Sequence, residues 1–150
     1  MAKRPAPPAP TSVLLVRHGQ TTTTGSVLPG RAKGLHLAPA GRDQADRAAE
    51  RIALVGDVAA VYASPLERTR ETAAPIAKRL GLKVSAVRGL LEADFGDWTG
   101  RKLNDLMKLP EWRHVQTSPS TFRFPGGESF PEMQSRIVGA VDSLVARHRG

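Results

Sequence analysis

The sequence predicts an α/β fold in which helices sandwich a mostly parallel sheet. Short apolar runs alternate along the chain with longer stretches whose apolar residues recur at helical spacing. The resulting order of strand, helix, strand, helix, strand, loop and helix is typical of units in which a helix connects parallel strands. The chain has 150 residues, which suits one domain, and 40% of them are hydrophobic, which is enough for a core.

The first predicted strand runs from Ser12 to Val16. Its apolar residues are consecutive, a pattern that favours a strand buried on both faces of a sheet. Residues 1–11 precede it and are rich in proline, so we expect an extended, disordered tail there and place the domain at 12–150. Residues 18–38 follow it and contain Gly25, Pro29, Gly30 and Gly34, and they predict a long loop.

The remaining predicted elements follow from turn residues and apolar spacing. Gly56 and Gly81 end two helices, and Pro65 suits the first turn of the second one. We expect Pro75 to kink that helix. The elements are a helix over 39–55, a strand over 58–64, a helix over 65–80, a strand over 82–87, a short helix near 101–108 and a last helix over 128–148.

Composition narrows the classes of function. The formal net charge of +8 favours anionic partners, although a basic surface without a specific partner explains it equally well. The basic residues are scattered and aromatic residues make up only 5%, so we expect no nucleic-acid partner. We expect Trp98, Trp112, Phe122 and Phe124 to pack within the irregular segment 88–127 and not to stack on bases. Cysteine is absent, which excludes thiol catalysis. No apolar run reaches membrane-spanning length and the start lacks a secretory signal, so we expect a cytoplasmic protein without a membrane partner.

Chemically useful residues follow each of the three predicted strands. Arg17 and His18 follow the first strand, Arg68 follows the second, and Glu92 follows the third. In open parallel sheets, ligands bind beyond the carboxyl ends of the strands. Arg68 stands in the first turn of a helix, where a cation is unfavourable unless it shares an anion. Taken singly, Arg68 and Glu92 are also compatible with solvated surface residues, but together the residues predict an anion-binding rim.

The motifs that carry these residues resemble those of the histidine phosphatase superfamily, in its phosphoglycerate mutase-like branch and closest to the bacterial phosphatases. They occur in the order and with the spacing of that family and cover nearly all of residues 12–148. They are "RHGQT" (17–21), "LAPAGRDQA" (37–45), "ASPLERTRETA" (63–73), "LLEADFGDWTG" (90–100) and "PGGES" (125–129).

The resemblance implies a metal-independent phosphomonoester hydrolase, or a phosphomutase, that acts on small phosphorylated metabolites without a cofactor. His18 would form a phosphohistidine, and the Gly19 carbonyl would hold the other ring nitrogen as a donor. Glu92 would protonate the leaving group and then activate water. Arg17, Arg68 and Thr24 would bind the phosphoryl oxygens. For its role Glu92 would have to be held protonated near neutrality by burial or by an acidic neighbour.

The sequence departs from the family at two places. Thr24 stands where the mutase-like branch usually has asparagine, so we expect a weaker grip on phosphate or a changed substrate preference. The family's second active-site histidine, at the end of a later strand, has no counterpart here. We therefore expect the chain to lack the C-terminal part of the domain, although exchange with another copy in a homo-oligomer and a degraded gene are open alternatives.

Two other classes of function stay open. The chain could be a non-catalytic phosphate-binding or regulatory module that kept Arg17, His18 and Arg68, and a nucleic-acid binder is a more distant possibility. The sequence does not identify the substrate. It also does not separate a mutase from a phosphatase, because both use the same nucleophile.

Overall fold

The structure is a computed structural model that describes residues 10–148. The proline-rich tail predicted for residues 1–11 lies outside the described residues, apart from its last two positions. Of these two, Thr11 donates a hydrogen bond from Oγ1 to the carbonyl oxygen of His148 over 2.8 Å. The segment before the site is thus tied to the end of the last helix.

The chain forms an α/β structure, which confirms the predicted fold class. Two parallel strands, β1 (Val61–Ala63) and β2 (Val84–Ala86), pair with Val61 opposite Val84 and Ala63 opposite Ala86. The helices α1 (Pro39–Ala53) and α2 (Glu67–Leu80) pack against each other, and α5 (Phe130–Arg147) packs on the turn that follows β2. The elements are α1 (Pro39–Ala53), β1 (Val61–Ala63), α2 (Glu67–Leu80), β2 (Val84–Ala86), α3 (Leu103–Leu106), α4 (Pro110–Thr117) and α5 (Phe130–Arg147), with 3-10 turns at Arg88–Leu90, Gly96–Trp98 and Pro119–Thr121.

The prediction of a buried strand from Ser12 to Val16 is wrong for this structure. The segment forms no strand, and Leu15 is 86% exposed. Within residues 10–148 no backbone–backbone hydrogen bond outside the helices and strands involves it. A strand is defined by the ladder it makes with a neighbour, and an apolar run with no paired neighbour keeps its backbone and side chains in contact with solvent.

The boundaries of α2 and α5 differ from the predicted ones by one or two residues. α2 begins at Glu67, so Pro65 lies outside its first turn, whereas Gly81 ends it in the left-handed conformation, as predicted. α5 begins at Phe130 behind a capping box in which Ser129 and Glu132 satisfy each other's backbone amides. Glu128 therefore precedes the helix and is free to bind elsewhere.

An aromatic cluster fills the irregular part of the chain, as the sequence predicted. Trp98, Phe122 and Phe124 are buried with Leu106, and Trp112 packs against them. The sequence did not predict α4, which contributes Trp112 to this cluster. These residues belong to the segment that leads from Glu92 to α5, and their packing stabilises that segment.

Candidate active site

The imidazole of His18 is held by its own main chain. Its Nδ1 atom lies 2.7 Å from the carbonyl oxygen of Gly19. A carbonyl oxygen only accepts hydrogen bonds, so this contact assigns the proton of the neutral ring to Nδ1. The Nε2 atom is then left with a free lone pair, as a nucleophile requires. The contact with the Gly19 carbonyl is the one expected from the sequence.

Gly19 anchors the histidine segment to the two central helices. Its amide donates to Oγ1 of Thr72 over 3.1 Å in a buried hydrogen bond, and the amide of Gln20 donates to Oε1 of Gln44 over 2.9 Å. A Cβ atom on Gly19 would lie 2.3 Å from the carbonyl oxygen of Gly41. Glycine is required here because two backbones approach closely, and not because of a special backbone angle.

Arg68 is one of the most deeply buried side chains, at 1% exposure. Its Nη2 atom donates to the carbonyl oxygen of Gly30 over 2.8 Å, whereas Nε and Nη1 are buried without a partner among the described residues. Burial lowers the pKa of the guanidinium, and the carboxylates of Glu92 and Glu67 oppose that effect. A buried cation with two unpaired N–H edges is strongly suited to binding an anion.

Glu92 lies on the segment after β2, and Arg31 contacts its main chain. Arg31 Nε donates to the carbonyl oxygen of Glu92 over 2.8 Å. The Glu92 side chain accepts a hydrogen bond at Oε1 from the amide of Ala93 over 2.9 Å. Glu92 itself is exposed, so the burial expected to keep it protonated is absent. The neighbouring Asp94 is engaged by Arg31 at 3.3 Å.

The two other predicted phosphate ligands have less defined surroundings. Arg17 is exposed and makes no hydrogen bond or ion pair within residues 10–148. The hydroxyl of Thr24 accepts from the amide of Thr21 over 2.8 Å and lies 3.1 Å from the Thr21 hydroxyl. Thr24 therefore closes the turn of the threonine-rich loop in this structure, and no contact joins it to His18 or Arg68.

A continuous path of contacts links three of the predicted residues. His18 and Gly19 are tied to Thr72, and the Thr72 hydroxyl donates to the carbonyl oxygen of Arg68 over 2.7 Å. The Arg68 guanidinium donates to the carbonyl oxygen of Gly30, and the next residue, Arg31, donates to the carbonyl oxygen of Glu92. The loop predicted for residues 18–38 thus brings the segments of His18, Arg68 and Glu92 into one connected site.

The sequence did not single out four side chains that build this site. Thr72 and Arg31 join its segments, and Glu128 and Arg136 hold the Glu92 segment from the other side. One signal could have found Arg136. It stands three residues after Met133, on the apolar stripe of the last helix, where a charged residue needs a buried partner.

A depression lies beside the site. Within residues 10–148 no group of three or more histidine, cysteine or acidic side chains could hold a metal ion. A depression of about 270 Å³ is lined by Arg31 and Glu67, which adjoin Gly30 and Arg68 in sequence, but none of the five predicted site residues lines it. No helix in the same part of the chain is both long and apolar enough to cross a bilayer.

Comparison with known proteins identifies relatives of this chain. The family model described as histidine phosphatase superfamily (branch 1) matches residues 13–150. A bifunctional protein of Mycobacterium tuberculosis is 33% identical over 142 residues, which are 94% of this chain and 39% of that protein. Phosphoserine phosphatase 1 of Hydrogenobacter thermophilus is 32% identical over 141 residues, covering 91% of this chain and 65% of the relative.

A solved structure shows the same fold. Mycobacterial glucosyl-3-phosphoglycerate phosphatase in complex with vanadate superposes with a TM-score of 0.78 at 32% identity, covering 86% of this chain and 64% of that one. The chain belongs to the histidine phosphatase superfamily, and it spans less than two thirds of the length of the first of these relatives.

Proposed function

We propose that the protein hydrolyses phosphate monoesters of small metabolites through a phosphohistidine on His18, without a metal ion. The observation that carries the proposal is the buried guanidinium of Arg68, which has two unpaired N–H edges and is tied through Thr72 to the histidine segment. Phosphate oxygens satisfy such edges in pairs, and the positive charge offsets that of the incoming dianion.

The first chemical step transfers the phosphoryl group to His18. The Nε2 lone pair forms a bond to phosphorus while the bond from phosphorus to the ester oxygen breaks. Phosphorylation of Nε2 leaves the ring positively charged, and the Gly19 carbonyl oxygen, which accepts the hydrogen bond from Nδ1, stabilises that charge. Glu92 in its protonated form gives its proton to the departing alkoxide, so that the product leaves as a neutral alcohol.

The second step returns the enzyme to its starting form. The Glu92 carboxylate takes a proton from water, the oxygen of which attacks phosphorus as the bond to Nε2 breaks. Inorganic phosphate leaves and Glu92 is protonated again. Glu92 is exposed, so water has access to its carboxylate for this step.

The family relationship supports the reaction type. One relative is called a phosphoserine phosphatase and one structural neighbour a glucosyl-3-phosphoglycerate phosphatase, and the substrates in those names are phosphate monoesters. A basic protein with a net charge of +8 attracts such anions. In the proposed reaction, Arg17 and Arg68 neutralise the charge of the phosphoryl group.

Trapping of the phosphoenzyme tests the proposal. After brief mixing with a ³²P-labelled monoester in EDTA and acid or alkaline quenching, we expect a label that is stable in alkali and lost in acid. We expect His18→Ala to carry no label, and His114→Ala, which alters an exposed histidine on α4, to behave as the wild type. A wild type that binds phosphate but gives neither label nor turnover would support the non-catalytic binding module instead.

A further inference from the structure

The carboxylate of Glu128 binds two arginines that approach the Glu92 segment from opposite sides. Arg136 donates to Glu128 from both Nε and Nη2, each over 2.8 Å, and Arg31 Nη2 lies 2.9 Å from the same carboxylate. Glu128 also accepts the amide of Asp94 over 3.0 Å. A two-pronged contact between guanidinium and carboxylate fixes orientation as well as distance.

The edge of Arg136 that faces away from Glu128 binds the main chain before Glu92. Its Nη1 atom donates to the carbonyl oxygens of Gly89 and Leu91 over 2.9 and 2.8 Å. Arg31 donates to the carbonyl oxygen of Glu92 itself. Carbonyl oxygens on both sides of the Cα atom of Glu92 are therefore held by charged donors, one from α5 and one from the loop after His18.

We propose that Arg136 is a positioning residue for Glu92: together with Glu128 and Arg31 it fixes the backbone from which the Glu92 carboxyl reaches the leaving group. This inference rests on the proposed function, in which Glu92 is the proton donor. The Glu92 side chain is exposed, and within residues 10–148 its carboxyl accepts a hydrogen bond only from the amide of Ala93. Its placement depends on the backbone, and the three partners supply that placement.

A structural role alone would lower all activity together, whereas a positioning role depends on the leaving group. A proton donor matters most for an alkyl ester, which leaves as a strongly basic alkoxide, and least for p-nitrophenyl phosphate, which leaves as a stabilised phenolate. The ratio of kcat/KM for these two esters therefore reports how well Glu92 delivers its proton. Partial unfolding changes both values and leaves their ratio unchanged.

The experiment compares this ratio in the wild type, Glu92→Gln, Arg136→Met and Arg136→Lys. General acid catalysis contributes about 10²–10⁴, so we expect Glu92→Gln to lower the alkyl-to-aryl ratio by about that factor and Arg136→Met by about tenfold. Lysine keeps the charge but cannot form the two-pronged contact, so Arg136→Lys should fall in between. Glu128→Gln provides a milder variant should Arg136→Met fail to fold.

Arg123→Met is the matched control. Arg123 also joins a carboxylate of α5, Glu132, to a loop carbonyl, that of Gly127 over 3.0 Å, but it makes no contact with the Glu92 segment. We expect its ratio to equal that of the wild type. An unchanged ratio in Arg136→Met and Glu128→Gln, or an equal fall in Arg123→Met, would overturn the inference while Glu92→Gln upheld the proposed function. Should Glu92→Gln itself leave the ratio unchanged, the role proposed for Glu92 fails, and the inference fails with it.

Discussion

The amide of Gly19 donates a hydrogen bond to Oγ1 of Thr72 over 3.1 Å, and this contact joins the segment of His18 to the helix of Arg68. The same Thr72 hydroxyl donates a hydrogen bond to the carbonyl oxygen of Arg68, which lies one helical turn earlier. The segment of His18 is thus joined to α2 by a short, buried link. In the proposed function His18 is the nucleophile and Arg68 binds phosphate, so this link joins the two segments that act on the phosphoryl group.

Replacement of Thr72 by valine should therefore lower both stability and turnover. Valine has nearly the same shape but leaves the buried amide of Gly19 without an acceptor, which costs about 1–3 kcal/mol. We expect a lower melting temperature and a lower kcat, with Thr72→Ser close to the wild type. Thr117→Val is the control, because Thr117 also donates to the carbonyl four residues before it but is exposed. Equal melting temperatures and rates for Thr72→Val and the wild type would contradict the role of this link.

Phosphate should stabilise the protein through Arg68. A ligand that binds only the folded state at one hundred times its Kd adds about 2.7 kcal/mol, so the melting temperature of the wild type should rise with phosphate concentration. Arg68→Met removes the buried cation, and we expect its melting temperature to be independent of phosphate. Arg79→Met alters an exposed arginine paired with Glu50 at the other end of α2, and it should respond as the wild type. A full response in Arg68→Met would remove the basis for the proposed phosphate site.

Acid should weaken the protein through Glu128. Hydrogen bonds from Arg136 lower the pKa of Glu128 from 4.5 to about 2, against the opposing effect of burial. A carboxyl whose pKa is depressed on folding contributes stability above its unfolded pKa, and the contribution is lost as pH falls from about 4.5 through about 2. We expect Glu128→Gln to flatten the fall in melting temperature over this range. Glu111→Gln changes an exposed position of α4 and should leave the dependence of melting temperature on pH unchanged. If Glu128→Gln showed the same dependence as the wild type, the stabilising role of the Glu128 carboxylate would be refuted.

Two glycine-to-alanine substitutions should have opposite effects. Gly19→Ala would place a Cβ atom 2.3 Å from the carbonyl oxygen of Gly41, and relieving that overlap moves the histidine segment at a cost of about 1–3 kcal/mol. Gly139 lies within α5 with no atom near its would-be Cβ. Gly139→Ala should stabilise the protein by about 0.5–1 kcal/mol. Denaturant unfolding measures both changes, and a Gly19→Ala protein as stable as the wild type would show that the two backbones separate freely.

The sequence predicted the helices well because their signals are local. The apolar spacing and the residues at their ends place α1 and the end of α2 close to their observed bounds. The aromatic residues 98, 122 and 124 were expected to pack together, and they form the buried cluster. The strand predicted over residues 12–16 does not form. Its signal was not local in the same sense, because an apolar run becomes a buried strand only when a neighbouring strand pairs with it.

Some residues of the candidate site are indicated by the sequence, and others are found only in the folded structure. Residue types and their order indicated His18, Arg68 and Glu92, because unusual charged residues stood after apolar strands. The importance of Thr72 and Glu128 could not be read locally, since their partners lie 53 and 34 residues away in sequence, at Gly19 and Asp94. Residues so far apart in sequence come into contact only when the chain folds.

The amino-acid sequence by itself determined the family, the candidate reactive side chains and most of the helices. Each of these depends on residues at short and regular spacing. Tertiary structure alone decided that Arg68 is buried with unpaired N–H groups, that Arg136 binds the Glu92 segment and that residues 13–16 lie open to solvent. Burial and pairing are properties of neighbours in space. The same arginine is a solvated surface residue or a phosphate ligand according to what the folded chain places around it.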